Sequence, residues 1–534
     1  MFRRRLISVI TNVSTPAKSD RLCCVFQQVI IHKQYLMTIV NGLQMGIMNR
    51  DVHMKKRTLF TDQASEFLGG LFSSSDVSIL SSEVKSKDFV QFYNNLEAKE
   101  KMTFLSMLAK QYGLHQDIVV EVSKSVIASE ERGDATMLKA EERLRYALVP
   151  QYQHLFQNIS RQEGGVKFLV DMRADILTSL PSVTNETDIA YLKSVANSIR
   201  DLLTLWFTVG FLNLQRVTWE SPCDMVQKVS DYEAVHPIRN WTDLKRRVGP
   251  YRRCFVFTHS SMPREPVVVL HTALTSDITK SIHSILQTGQ FAPVKKSISV
   301  EDDLTLDSET EDASKITTAI FYSITSTQKG LTGIDLGNYL IKQVVRELQA
   351  EFPRIYQFSS LSPIPGFKEW LVGEINKSIH AEELGESLEN PLLLDSEIER
   401  LKKTVDSTNN NMYDVLKRIL ANHEWVSKEH ICQVLQNILL RLCSRYLYVE
   451  KRRGYALNPV ANFHLSNGAV LWRINWLSDT SMRGINQSCG LMVNYRYFLD
   501  NTTENSKRYL EENFIESSPE IIELANLKNP EGEK

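Results

Sequence analysis

Between Ile316 and Ser362, two runs rich in β-branched and aromatic residues, Ile316 to Thr325 and Ile355 to Ser359, flank one long amphipathic segment. This order limits the fold more than any other stretch of the chain. In Leu336 to Phe352 the residues Leu336, Leu340, Val344 and Leu348 recur every four positions beside Ile341 and Val345, which is a helical period. A strand, a helix and a second strand in succession predict a crossover unit with its two strands parallel in one sheet. The loop before the helix carries Gly330, Gly333 and Gly337. Backbone N–H groups at a helix start suit a phosphate, but neither the Walker A ending nor the dinucleotide glycine spacing is present. Tight packing explains these glycines equally well.

The rest of the chain divides around that unit. From Thr61 to Phe207 glycine and proline are scarce, and the stripes Phe89, Phe92, Tyr93, Leu96 and Leu105, Leu108, Ala109, Tyr112 follow three-four spacing, so a helical bundle is expected. Beyond Phe207 further strands are expected at Cys254 to Thr258, Pro266 to Leu274 and Val470 to Asn475. The fold class is therefore α+β: an all-α domain over 58–207 and an α/β domain over 208–534. Polar insertions near 296–314 and 384–411 read as loops. The first holds seven acids among the twelve residues Glu301 to Asp312.

With 534 residues and a net charge of −1, the chain lacks the basic field that would gather nucleic acid. Its seven cysteines never form Cys-x-x-Cys, which argues against a zinc site or a disulfide framework. No apolar run of about 18 residues is available to span a bilayer. Residues 1 to 50 contain seven lysines and arginines against one acid, Asp20, a pattern that resembles a mitochondrial transit leader. Residues 1–57 are set outside the fold on that ground. The expected location is the mitochondrial matrix, with a cytosolic form from a later start as the alternative. The C-terminus carries no Ser-Lys-Leu signal.

Chemistry is concentrated at two places. Ser362 follows a strand and precedes Pro363, Pro365 and Gly366, which turn the chain away at the carboxyl end of the sheet, where ligands of such folds bind. His464 lies in Gly454 to Trp472 between the turn signals Asn458-Pro459 and Asn467-Gly468, so a loop leading into the strand Ala469 to Asn475 is expected to hold it. Histidine transfers protons near neutral pH, although a packing role suits the residues as well. Lys245, Arg246, Arg247, Arg252, Arg253 and Lys451 to Arg453 form basic clusters that solvate a surface or meet phosphates.

Several long words of the sequence, in order, resemble the malonyl-CoA decarboxylase family. They are Glu141 to Pro150, Val217 to Cys223, Ala234 to Pro237, Arg246 to Cys254, Phe358 to Phe367, Gly454 to Trp472 and Ser488 to Phe498. The resemblance covers about Asp88 to Phe498. It implies an N-terminal helical domain for subunit contacts and a C-terminal domain similar to the acetyltransferase (GNAT) fold. It further implies a malonyl-CoA loop at Thr332, Gly333, Ile334, Asp335, Leu336, Gly337 and Asn338, with Ser362 as catalytic serine and His464 as proton donor. Asp335 stands where the family commonly carries glutamate, and a helix-capping role competes with a catalytic one. Tyr497 is a candidate hydrogen-bond donor to the substrate or a core residue.

The implied reaction converts malonyl-CoA to acetyl-CoA and carbon dioxide, which would serve fatty-acid oxidation. Negative charge left on the α-carbon spreads into the thioester, so no metal or organic cofactor is expected. A homotetramer is implied as well; Cys223, in Ser-Pro-Cys, is a candidate for an interchain disulfide, with a buried or inert thiol as the default reading. Two other readings are a CoA-dependent acyltransferase of the same fold and a malonyl-CoA sensor without turnover.

Overall fold

Phe89, Tyr93, Phe104, Leu105 and Leu108 are all essentially inaccessible, and they come from the two stripes that the helical spacing singles out. The structure, a computed structural model, describes residues 59–72, 79–207, 211–286, 311–334, 339–385, 391–405 and 411–526. Contacts group the chain into two units, Met1–Ile159 with Thr178–Ala196, and Ser160–Leu177 with Asn197–Lys534.

The first unit is helical. Its segments include Ile79–Asn94, Ala98–Gln111, Gln116–Ser129 and Asp134–Ala147. The Ala98–Gln111 helix starts where Glu100 turns back to accept from the Glu97 N–H at 2.9 Å, satisfying one of the donors that a helix start leaves free. Phe89 and Phe104 then pack with ring centroids 5.6 Å apart, and the Tyr112 ring stacks on Phe72 at 4.1 Å.

The second unit is built on an eight-stranded sheet. Its strands are β1 (Leu212–Val217), β2 (Arg252–His259), β3 (Met262–Thr275), β4 (Thr318–Ser326), β5 (Gln357–Ser360), β6 (Ser362–Pro363), β9 (Val470–Asn475) and β10 (Met492–Tyr497); the short pair β7 (Lys451–Arg452) and β8 (Tyr455–Ala456) lies apart. Strands β1 to β4 form an antiparallel succession. The helix Tyr339–Glu351 then returns the chain so that β5 pairs with β4 in parallel, as the spacing of the unit predicts. One face of β2 packs Cys254 and Val256 against Met225, Val226, Val229, Leu244 and Val248 from two helices. On the other face Arg253 reaches Glu351 at the end of the Tyr339–Glu351 helix.

The sheet opens at one point. Strand β4 pairs with β5 only from Thr318 to Phe321, although β4 runs on to Ser326. Its register against β3 shifts between His271 and Thr272, leaving Tyr322 as the extra residue. A bulge bends its strand and ends regular pairing, so β4 and β5 part where the bulge falls. Past Ser360 the chain leaves β4 and pairs with β10 through Ser362 and Val493.

Three expectations need revision. Residues 384–411 are not a loop throughout, because Asp395–Thr404 is a helix. Its Glu397 is buried against Arg441 at 2.6 Å, and Leu401 is buried with it; the charge that marked the segment as solvated is paired inside. Glu311, in the acidic run, likewise binds Arg253 at 2.7 Å. Strands β1 and β10 fall outside the expected set, since Asn213, Gln215, Asn494 and Arg496 dilute their apolar character.

Gly468 shows how tightly this unit is closed. Its φ is +77°, and a Cβ built on it would collide with the Thr502 carbonyl. Replacing Gly468 by alanine is expected to cost about 2–3 kcal/mol through strain and overpacking, measured as a lowered thermal midpoint. An unchanged midpoint would contradict this packing.

Candidate active site

Asn458 begins the site. Its side chain accepts from Val460 N at 3.0 Å and Ala461 N at 2.9 Å, and Pro459 occupies the first helical position, where its missing N–H costs nothing. The Asn-Pro pair is therefore a helix start, and His464 sits on the short helix Pro459–Ser466 rather than in the expected loop. The same Asn458 donates from Nδ2 to Pro365 O at 2.8 Å. One buried amide thus ties the histidine helix to the turn that follows Ser362.

Strand β10 supplies the opposite wall. Residues two apart on a strand share a face, so Tyr495 and Tyr497 point the same way. The His464 ring stacks on Tyr495 with centroids 4.5 Å apart at 17°, and its Nδ1 lies 2.7 Å from the Tyr497 hydroxyl. Its Nε2 lies 2.9 Å from Ser362 Oγ, which in turn donates to Ser360 Oγ at 2.8 Å. Ser360 Oγ also accepts from Tyr495 N at 3.3 Å. Ser362, His464 and Tyr497 are 5%, 3% and 4% exposed.

Burial decides the charge. Desolvation pushes the His464 pKa down to about 3 and raises that of Tyr497, so a neutral imidazole faces an intact phenol. Among the described residues the Tyr497 hydroxyl meets no hydrogen-bond partner other than His464 Nδ1. If Nδ1 carried a hydrogen, the buried phenolic proton would be left unpaired at a cost of about 1–3 kcal/mol. The satisfied arrangement has Tyr497 donating to Nδ1, Nε2–H donating to Ser362 Oγ, and Ser362 donating to Ser360. Such a line presents a proton at Nε2 and holds it in one direction.

The structure brings together three of the candidate residues, Ser362, His464 and Tyr497. Thr332 follows the turn Lys329–Leu331 and donates from Oγ1 to Lys329 O at 2.7 Å; Gly333 has φ +77°, and Ile334 is buried. Asp335, Leu336, Gly337 and Asn338 lie outside the described residues. Gly330 has a packing role, because a Cβ there would strike the Val170 backbone. Ser360 and Tyr495 were not singled out as site residues by sequence reasoning, and Asn458 only as a turn signal, although the period of two in β10 points to Tyr495 once Tyr497 is chosen.

The basic cluster around Val248 proves largely internal. Arg247 is held by Asp243 at 3.0 Å, Arg252 donates to Tyr251 O at 2.8 Å, and Arg253 binds Glu311 and Glu351. These three are buried and neutralised or bonded within the fold, so they do not form the exposed phosphate-binding cluster that the sequence allows. Cys223 is exposed and free at the start of the helix Cys223–Tyr232. Among the described residues no group of three or more His, Cys, Asp or Glu side chains is placed to hold a metal ion, and no helix is long and apolar enough to cross a membrane.

A helical region and a mixed sheet that opens beside a buried serine–histidine–tyrosine line define an α+β protein. Two family models cover most of the chain: malonyl-CoA decarboxylase N-terminal domain over residues 112–207 and C-terminal domain over 210–533. The mitochondrial malonyl-CoA decarboxylase of Anser anser anser is 50% identical over 448 residues, covering 83% of this chain and 84% of the relative. That of Rattus norvegicus is 48% identical over 445 residues, covering 83% and 85%. The crystal structure of malonyl-CoA decarboxylase from Rhodopseudomonas palustris is similar with a TM-score of 0.70 at 31% identity, covering 86% of this chain and 99% of the other; that from Agrobacterium vitis has a TM-score of 0.69 at 30% identity, covering 87% and 100%. The chain belongs to the malonyl-CoA decarboxylase family.

The depressed pKa of His464 has a consequence for stability. Unfolded, the side chain takes up a proton below about pH 6.5, whereas folded it refuses one until about pH 3. Stability is therefore full above about 6.5 and falls as the pH drops toward 3, with a limiting slope of about 1.4 kcal/mol per pH unit for one proton. Denaturant unfolding of His464→Gln between pH 6 and 4 is expected to show a slope smaller by about one proton than that of the wild type. Equal slopes would show that His464 is not held neutral.

Proposed function

We propose that the chain converts malonyl-CoA to acetyl-CoA and carbon dioxide with no second substrate, and that the line from Tyr497 through His464 to Ser362 handles the proton. The observation that carries this reading is the Nε2 to Ser362 contact of 2.9 Å in a buried site closed behind by Tyr497. Loss of carbon dioxide breaks the bond between the α-carbon and the carboxylate and leaves its electron pair on the α-carbon, delocalised into the thioester carbonyl as an enolate. The thioester is the electron sink, so the proposed route calls on no metal or organic cofactor. What the protein must do is hold the carboxylate out of the carbonyl plane, steady the enolate oxygen and protonate the carbon.

His464 is the donor in this account. As Nε2 gives its proton to the α-carbon, Nδ1 takes the phenolic proton of Tyr497; the imidazole ends neutral, the negative charge of the enolate passes to the Tyr497 phenolate, and a proton from solvent restores the phenol before the next turnover. Ser362 Oγ, freed from Nε2 by the substrate, hydrogen-bonds the malonyl group and fixes its orientation. A serine backed only by Ser360 is a poor base, so orientation is its assigned role. The loop from Thr332 to Asn338 is assigned to malonyl-CoA binding on the family resemblance. The parting of β4 from β5 suits the acetyltransferase-like wedge that the resemblance implies, where a pantetheine arm would lie. The arginine-bearing, acid-poor leader, together with mitochondrial relatives, favours the matrix. The exposed Cys223 is available for a link between chains of an oligomer.

Purified protein given malonyl-CoA alone is expected to release acetyl-CoA and carbon dioxide in equal amounts. In His464→Ala, kcat is expected to fall by about 10²–10⁴, the usual share of a positioned acid. Tyr497→Phe keeps the ring but loses the hydrogen that sets the tautomer, so kcat is expected to fall by about 10–100-fold with KM changed little. No turnover by the wild type would overturn the activity. Full turnover by His464→Ala would remove the proposed donor.

A further inference from the structure

A cavity of about 710 Å³ lies on the sheet face turned away from His464. The faces are assigned by alternation along the strands. Ile282, which lines the cavity, packs with Ile320, Leu361 and Met492. Their neighbours Phe321 and Ser362 instead meet Tyr497 and His464. This cavity is therefore separate from the proton-transfer line.

Its walls carry an excess of positive charge, with Arg239, Arg246, Arg247 and Arg483 around His236 and His283, against Asp479 and Asp243, the latter paired with Arg247. Arg483 donates from Nη1 to the Ala234 and Val235 carbonyls at 2.5 and 3.2 Å. That fixes the guanidinium while Nε and Nη2 have no hydrogen bond among the described residues. Arg239 has no side-chain hydrogen bond there either, and the residue is exposed. The floor is built rather than incidental. The buried Glu233 carboxylate accepts from Val235 N and His236 N, each at 2.8 Å, and from Ser323 Oγ at 2.7 Å, which pins the 233–237 turn to β4.

His236 is the second, independent sign. It is only 8% exposed, and its Nε2 has no hydrogen-bond partner among the described residues. A buried polar nitrogen without a partner calls for explanation, and the ring that carries it lines a roomy, cationic cavity. Burial, opposed by Glu233, pushes its pKa down to about 4. The ring is thus neutral at physiological pH and able to donate or accept.

We propose that this cavity binds a phosphate-bearing ligand of nucleotide size, its phosphates held by Arg239 and Arg483 and one edge met by His236. Guanidinium groups supply the paired donors that phosphate oxygens take best, and a volume of several hundred cubic ångströms suits a drug-sized or nucleotide-sized molecule. That chemistry is shared by the nucleotide end of a CoA thioester and by a separate phosphorylated metabolite. Assignment to the substrate's own nucleotide end rests on the activity proposed above; the binding itself does not.

The test titrates adenosine 3′,5′-bisphosphate into the full-length protein by calorimetry, with Arg239→Gln and Arg483→Gln as separate variants and Lys507→Gln as an equal loss of charge on another helix. Saturable binding by wild type and Lys507→Gln, weakened at least about ten-fold in each arginine variant, is the expected result. No saturable binding by wild type, or binding unchanged in both arginine variants, would overturn the proposal. Kinetics then separate the sources. A raised KM for malonyl-CoA with that for malonyl-pantetheine unchanged assigns the cavity to the nucleotide end of the substrate. Weakened bisphosphate binding with both KM values unchanged assigns it to a separate ligand. Should the protein fail to turn over malonyl-CoA, the calorimetry still decides the cavity.

Discussion

The hydrogen bond from Tyr497 to His464 Nδ1 is the constraint on which the site depends, because it settles where the imidazole proton resides. A buried histidine between two hydroxyls has two tautomers, and only one leaves every donor paired. With the phenol held protonated by burial, Nε2 carries the hydrogen and faces Ser362 at 2.9 Å. The same burial that removes the charge from His464 also shields its hydrogen bonds from water, which holds the neutral imidazole in one orientation.

The remainder of the catalytic half holds that geometry in place. Strand β10 contributes Tyr495 and Tyr497 from one face and, by pairing Val493 with Ser362, sets the height of the serine against the ring. Asn458 fixes the other side through its helix cap and its bond to Pro365 O. Where β5 gives way to β6 the ladder is incomplete, and side chains fill it: Ser359 Oγ donates to Tyr495 O at 3.1 Å, and Asn494 Nδ2 donates to Ser360 O at 2.8 Å. Serines on this strand therefore help to complete the sheet. Their small size lets the ring of His464 approach the backbone of β5 and β6.

Sequence reading recovered the elements whose period is unambiguous. The β4–helix–β5 crossover, the strand Val470–Asn475 and the stripe around Phe89 and Leu105 all match the pattern in their residues, since burial on one face writes a period into the chain. The two ends of the sheet were less legible. Strands β1 and β10 carry Asn, Gln and Arg at intervals, and in β10 those polar side chains are consumed inside, Asn494 by Thr279 O and Ser360 O. Asn458-Pro459 is ambiguous because the same pair opens turns and caps helices; only the helix Pro459–Ser466 decides it. Buried ion pairs such as Glu397 with Arg441 and Arg253 with Glu311 were illegible for a simple reason: charge in sequence signals solvent, and partners 44 and 58 residues away leave no local trace. At the site, Ser362 and His464 drew notice through residue type and turn context, whereas their distance from one another in sequence conceals that they touch.

The most direct measurement of this account is the ¹⁵N NMR spectrum of protein labelled at histidine, with His464→Gln used to assign the resonance. The account predicts that His464 shows a protonated Nε2 and an unprotonated Nδ1 that stay constant from pH 5 to 8, and that Tyr497→Phe disturbs this pattern. A His464 resonance that titrates near pH 6.5, or one with the proton on Nδ1, would contradict it.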